Sequence, residues 1–204
     1  MHINAATLFN LVHLSMAVAS IPTGLIVKLG RARSAPLVLH GRKLNEVSVS
    51  SVAELTAAVS NSAVDKILVA AGTYEFTSNM CSGSAICINR ALTIEAEVPG
   101  SVVLDAKGGR RVFLIQSGGT AELIGLDITG GSATGWYGGG VSVNSGGVAN
   151  FESCNIHDNA ATYGGGGLYI WGTATLTNTN VYSNQASGGG GLYIYGTATL
   201  TNTN

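Results

Sequence analysis

The chain has 204 residues, of which 10% are charged, 46% are hydrophobic and 29 are glycine, with a formal net charge of −1. A chain of this length builds one domain, and with no basic stripe it excludes nucleic acid as a partner. Low charge and abundant glycine suit a stacked β architecture whose outer faces carry Thr, Ser, Asn and Tyr.

Residues 1–45 contain no Asp or Glu but five bases: Lys28, Arg31, Arg33, Arg42 and Lys43. All eleven acids lie beyond them, and nothing after Asp158 is charged. Residues 5–19 are mostly apolar and end in Ala17-Val18-Ala19, a small-x-small cleavage pattern,. No Lys or Arg precedes the run, and Asn10 and His13 interrupt it. It is too short and broken for a membrane span. The segment predicts a leader over 1–45, disordered or cleaved, for export to the cell surface or exterior. Organelle import is the alternative, because the acid-free, Arg-bearing stretch also suits a transit peptide.

The domain then occupies 46–204. Ser51-Val52-Ala53-Glu54 has capping-box form, and Val52, Leu55 and Val59 follow at helical spacing up to Asn61,. This predicts a short helix covering the open end of a stack of strands. Ile67-Leu68-Val69-Ala70 reads as the first buried strand.

Residues 164–187 and 188–204 are two copies of one unit, GGGGLYI(W/Y)GTATLTNTN, starting at Gly164 and Gly188. Leu168 and Ile170 alternate with Tyr169 and Trp171, and Ala174 and Leu176 with Thr175 and Thr177, as on strands with one buried face. Glycine runs and Asn-rich ends supply the turns. One coil cannot bury its own apolar face, but stacked coils can. The expected fold is all-β: a right-handed parallel β-helix with an N-terminal capping helix. By alignment, Leu92/Ile94, Phe113/Ile115, Val141/Val143, Leu168/Ile170 and Leu192/Ile194 form one pair of inward columns. Leu123, Phe151, Leu176 and Leu200 form a second, and Ile128, Ile156 and Val181 a third. Asp127, Asn155, Asn180 and Asn204 share a register, as do Asn159 and Asn184, which predicts side-chain ladders at the turns.

The opening pattern, a helix followed by ILVAAGTY, ALTIEA, VVLDA, VFLI and AELIGLDITGG, resembles the pectin lyase-like β-helix. The later coils resemble degenerate repeats of polymorphic outer-membrane proteins, which pair F-x-x-N with G-G-A-[ILV]. Here Ile156-His157-Asp158-Asn159 precedes Gly166-Gly167-Leu168, and Val181-Tyr182-Ser183-Asn184 precedes Gly190-Gly191-Leu192. The resemblance implies the fold; it leaves function open, because such folds host lyases, hydrolases, adhesins and passengers.

Cys81 and Cys87 sit in a small polar loop and are expected to form a disulfide in an exported protein. Cys154 reads as a packed thiol. No metal site is expected from this cysteine pattern. The carboxylates that could serve acid–base chemistry are Asp105, Asp127, Glu152 and Asp158, with Glu122 beside them and Arg110 and Arg111 as charge stabilisers. A simpler reading makes Asp127 a ladder residue and the others solvated. His157 adjoins Asp158, but neighbours on a strand face opposite ways, so a solvent-facing His is expected. Thr173/Thr175, Thr177/Thr179 and their copies form T-x-T pairs like those of some ice-binding faces, although Thr is also simply a good strand residue. No N-glycosylation sequon occurs.

Tyr169, Trp171, Tyr193 and Tyr195 are expected to point outward together. They could stack on sugar rings or merely stabilise the sheet. The reading that results is a non-catalytic surface β-helix that binds polysaccharide or another surface. The alternative is a polysaccharide lyase or glycoside hydrolase, with calcium as its only expected cofactor, and ice binding is a lesser one. The sequence stops at Asn204 within a repeat, with Leu192, Ile194 and Leu200 on the last core face. This predicts a domain truncated at its C-terminal end that self-associates through an uncapped coil.

Overall fold

The computed structural model describes residues 45–204; the expected leader, with its targeting pattern at residues 5–19, lies outside them apart from Asn45. The described residues form a parallel β-solenoid of about five turns with a single short helix.

The first strand, β1 (Glu46–Val49), leads into helix α1 (Val52–Ser60). Ser51 caps the helix by accepting the Glu54 amide at 3.3 Å, while Glu54 Oε2 reaches back to the Ser50 amide at 2.7 Å. The box therefore closes one residue earlier than the spacing suggests, because the extended Ser51 turns the Ser50 N–H toward the glutamate. Leu55 and Val59 are buried, and the helix packs on the first coil.

Each coil contributes three main strands. The first has β2 (Lys66–Val69), β3 (Gly72–Glu75) and β4 (Ser84–Ile88), and the second β5 (Ala91–Ala96), β6 (Val102–Asp105) and β7 (Arg111–Ile115). The third has β8 (Thr120–Ile124), β9 (Leu126–Thr129), the short β10 (Ser132–Ala133) and β11 (Val141–Val143). The fourth has β12 (Val148–Glu152), β13 (Asn155–His157), β14 (Ala160–Ala161) and β15 (Leu168–Ile170). The fifth has β16 (Thr173–Thr177), β17 (Asn180–Tyr182) and β18 (Leu192–Ile194), and β19 (Thr197–Thr201) begins the next. Stacking gives three long parallel sheets: β1-β2-β5-β8-β12-β16-β19, β4-β7-β11-β15-β18 and β3-β6-β9-β13-β17.

Inward residues form columns along the axis. In the second sheet Ile86/Ile88, Phe113/Ile115, Val141/Val143, Leu168/Ile170 and Leu192/Ile194 stack in register. Leu92/Ile94 do not belong there: they pair with Ala121/Leu123 in the first sheet. ALTIEA alternates and VFLI is a continuous apolar run, yet both supply an inward pair, and that pattern alone cannot say which sheet a strand joins. The loop lengths between them decide it, and these vary in the early coils. Ile128, Ile156 and Val181 stack as expected. Phe76, Phe113, Phe151 and the aliphatic columns as far as Ile170 and Leu176 are almost wholly buried, each side chain contributing about 1.5–3 kcal/mol of transfer energy.

The repeat motif follows from one close contact. Asn159 is 1% exposed; its amide donates to the carbonyls of Ile128 and His157, and its oxygen accepts from the Gly131 N–H at 2.8 Å. Asn184 repeats the position one coil on and accepts from Asn159 Nδ2 at 3.1 Å. A Cβ on Gly140 would sit 2.9 Å from Asn159 Nδ2, and one on Gly167 would sit 2.9 Å from Asn184 Nδ2. The Asn and the paired glycines are one device, which ties each turn to the neighbouring coil. The predicted Asn155–Asn180 ladder also forms, at 2.9 Å.

Candidate functional site

The outward face of the second sheet carries two rows of side chains. One runs Leu114, Ser142, Tyr169, Tyr193 in strict register. The other lies two residues further along each strand and holds Gln116, Asn144, Trp171 and Tyr195. The rows are polar or aliphatic in the middle coils and aromatic in the later ones. Between β10 and β11 the chain departs from the coil, carrying Trp136 and Tyr137 over this face. It can approach closely because Gly138 has φ 70°, and a Cβ there would meet the Tyr169 Cβ at 3.0 Å.

The result is a cleft of about 780 Å³. Leu114, Gln116, Ser142 and Asn144 line it from the sheet, Tyr169 and Trp171 from the aromatic rows, Trp136 and Tyr137 from the excursion. Ser82, Gly83, Arg110 and Arg111 line it as well. No Asp or Glu lines it. Cys81 and Cys87 form the expected disulfide, which holds the loop containing Ser82 and Gly83.

Of the four aromatic residues singled out in the sequence, Tyr169 and Trp171 line the cleft. Tyr137 stacks on Tyr169 with ring centroids 4.7 Å apart, and Tyr193 lies 5.4 Å from Tyr137. These rings therefore support one another. Burial in that stack raises the Tyr169 phenol above its usual pKa, with the neighbouring tyrosines adding to the effect. Trp171 and Tyr195 meet edge to face at 6.1 Å. Trp136, Trp171 and Tyr195 remain 65%, 50% and 71% exposed, free to meet a ligand. Trp136 and Tyr137 escaped the sequence reading because they lie in an irregular excursion outside the repeat.

The two arginines differ. Arg110 engages each of its three nitrogens on the strand-to-loop segment after β3: Phe76 O, Thr77 O and Asn79 Oδ1. Arg111 donates from Nε to Tyr137 O at 3.0 Å and from Nη1 to Ser82 O at 3.3 Å. It thus braces the excursion against the disulfide loop. Burial lowers its pKa.

The candidate acids lie on the other two sheets. Glu122 on β8 accepts from Asn150 at 2.7 Å, and Glu152 on β12 is exposed. Asp105 on β6 accepts the Lys107 amide at 2.7 Å. Asp127 and Asp158 converge on His157, which meets Asp127 through Nε2 at 2.8 Å and Asp158 through Nδ1 at 2.7 Å. Tyr182 stacks on the imidazole at 4.9 Å. His157 is therefore not a free solvent-facing side chain. Asp158 has φ 51°, the left-handed turn position that Gly130 and Ser183 hold in adjacent coils. That turn ends the strand alternation and swings the carboxylate back onto its neighbour. Among the described residues no group of three or more His, Cys, Asp or Glu is arranged to hold a metal ion.

Thr173, Thr175 and Thr177 stack on Thr197, Thr199 and Thr201. The same face carries Glu122 and Glu152 in the preceding coils.

No protein-family model, curated protein or solved structure matches the chain.

Proposed function

We propose that the chain is a non-catalytic, surface-associated or extracellular β-helix that binds polysaccharide in the aromatic cleft. The observation that carries this reading is the cleft's lining: exposed indole rings and half-buried phenol rings beside amide and hydroxyl groups, with no carboxylate. Aromatic faces stack on the C–H faces of sugars, while amides and hydroxyls read their hydroxyl groups. Acid–base cleavage of a glycosidic bond needs a carboxyl pair flanking that bond. The disulfide supports an oxidising compartment,. The motif likeness to pectin lyase-like helices and outer-membrane repeats supports a cell-surface setting.

A glycan array and a cell-wall pull-down test the reading. Wild type is expected to retain a defined set of glycans, and Trp171→Ala to weaken that binding about thirtyfold, as for a buried aromatic anchor worth about 2 kcal/mol. Trp136→Ala should act in the same direction. No retention of any glycan, or unchanged binding by both variants, would overturn the reading.

A second reading, a lyase or hydrolase acting outside the cleft, is favoured by His157 between Asp127 and Asp158. A positioned imidazole with a carboxylate partner is a general acid–base unit. Turnover of a uronate polymer, with or without calcium, that disappears in Asp127→Asn would establish it in place of the first.

A further inference from the structure

Arg110 and Arg111 have no carboxylate partner. The ion pairs of the described residues involve Lys66, Lys107 and His157, and residues 1–45 contain no Asp or Glu that could supply one. The protein thus places two formal positive charges in the lining of a cleft that holds no negative charge. This is unusual for a chain with a net charge of −1, since partly buried cations are ordinarily paired.

The two differ in what they have left to give. Arg110 has each of its three nitrogens engaged in holding the 76–79 segment. Arg111 keeps its Nη2 amino group without a hydrogen-bond partner among the described residues. Its other donors fix the guanidinium to the carbonyls of Tyr137 and Ser82, so the free edge is held in place before any ligand arrives. Ser142, Asn144 and Gln116 line the same cleft with neutral donors.

We infer that the cleft selects anionic saccharides, with Arg111 receiving the ligand's carboxylate or sulfate while Trp171 and Trp136 meet its sugar rings. The inference rests on the glycan-binding reading above and assigns its ligand class. Partial burial sharpens the selection: desolvation disfavours the unpaired guanidinium, and a bound anion relieves that penalty. A neutral sugar cannot, so charge is read as a difference in affinity.

Three probes on one backbone isolate the charge: chondroitin sulfate, desulfated chondroitin, and desulfated chondroitin with its carboxyls reduced to alcohols. One or both anionic forms should bind at least about tenfold more tightly than the neutral form, the worth of a charge-assisted hydrogen bond. The first two separate sulfate from carboxylate as the group received. Arg111→Gln should abolish the preference for the anionic forms, whatever it does to the neutral form's affinity, while Arg111→Lys should retain part of it. Because Arg111 also braces two loops, an unsubstituted control is needed. In wild type, raising the salt concentration should weaken the anionic probes and spare the neutral one. Equal binding of charged and neutral forms, or a preference that survives in Arg111→Gln or ignores salt, would overturn the inference while leaving glycan binding intact. Binding of none of the three overturns it as well, and the glycan array then decides the broader reading independently.

Discussion

Asn159 illustrates how one side chain can define a repeat. Buried, it satisfies two carbonyls in its own and the preceding coil and one glycine N–H. Replacing it with Ala leaves these groups unpaired, each at about 1–3 kcal/mol. Asn159→Ala should therefore lose on the order of 3 kcal/mol, seen as a lower denaturant midpoint with unchanged slope. A shift no larger than that of the exposed Asn202→Ala would show that the turn is held by backbone alone. Cys154 is the opposite case, a buried group with no ligand to meet. Burial pushes its thiol up from 9.0 to about 11. The folded state thus holds its proton where the unfolded state loses it. Stability should be unaffected below pH 9.0 and decline toward about pH 11, by about 1.4 kcal/mol per pH unit. Cys154→Ser should remove that decline. A native thiol that reacts readily with a disulfide reagent at pH 8 would contradict this account.

Among the elements, α1 depends on a residue of another coil. Arg90, just before β5, donates to the carbonyls of Val59 and Asn61 at the helix C-terminus and to Val64. Cations belong at that end of a helix, where carbonyls lack partners. Arg90→Ala is expected to cost about 2–3 kcal/mol and to speed hydrogen exchange in α1 before the core strands. Unchanged protection of α1 would mean that Leu55 and Val59 suffice to dock it. The helix itself was legible, since Ser51, Glu54, Leu55 and Val59 are local signals. So were the stacked columns of the near-identical coils and the Cys81–Cys87 bridge. The placement of Leu92/Ile94 was not, because a strand's sheet depends on loop lengths. Nor was the convergence of Asp127 and Asp158 on His157, which needs a left-handed residue at Asp158 that only the stacked Gly130 hinted at. Half of the cleft's aromatic lining was invisible for a related reason: Trp136 and Tyr137 sit in an excursion with no repeat to set their register.

At the scale of the whole molecule the two ends of the stack differ. One end is met by α1, which packs on β1, β2 and β4. At the other, β17, β18 and β19 are the last strands of their sheets, and Ile194 and Leu200 are 47% and 46% exposed. Neither residue should be so open in a column whose earlier members, Ile170 and Leu176, are fully buried. The strands beside them carry no charge to deter pairing, and an exposed, flat, apolar edge is a template for another chain. A polypeptide of this sequence is therefore expected to self-associate through that face. Sedimentation at roughly tens of micromolar, a concentration at which exposed edges typically associate, should show species larger than the monomer, increasing on warming as apolar contacts strengthen. Thr197→Lys with Thr199→Lys places two charges on the outer side of β19, where both threonines are exposed. That pair should restore the monomer without disturbing the cleft, so glycan binding serves as the internal control. A wild-type chain that sediments as a clean monomer, warm or cold, would show that the open coil is closed in some other way.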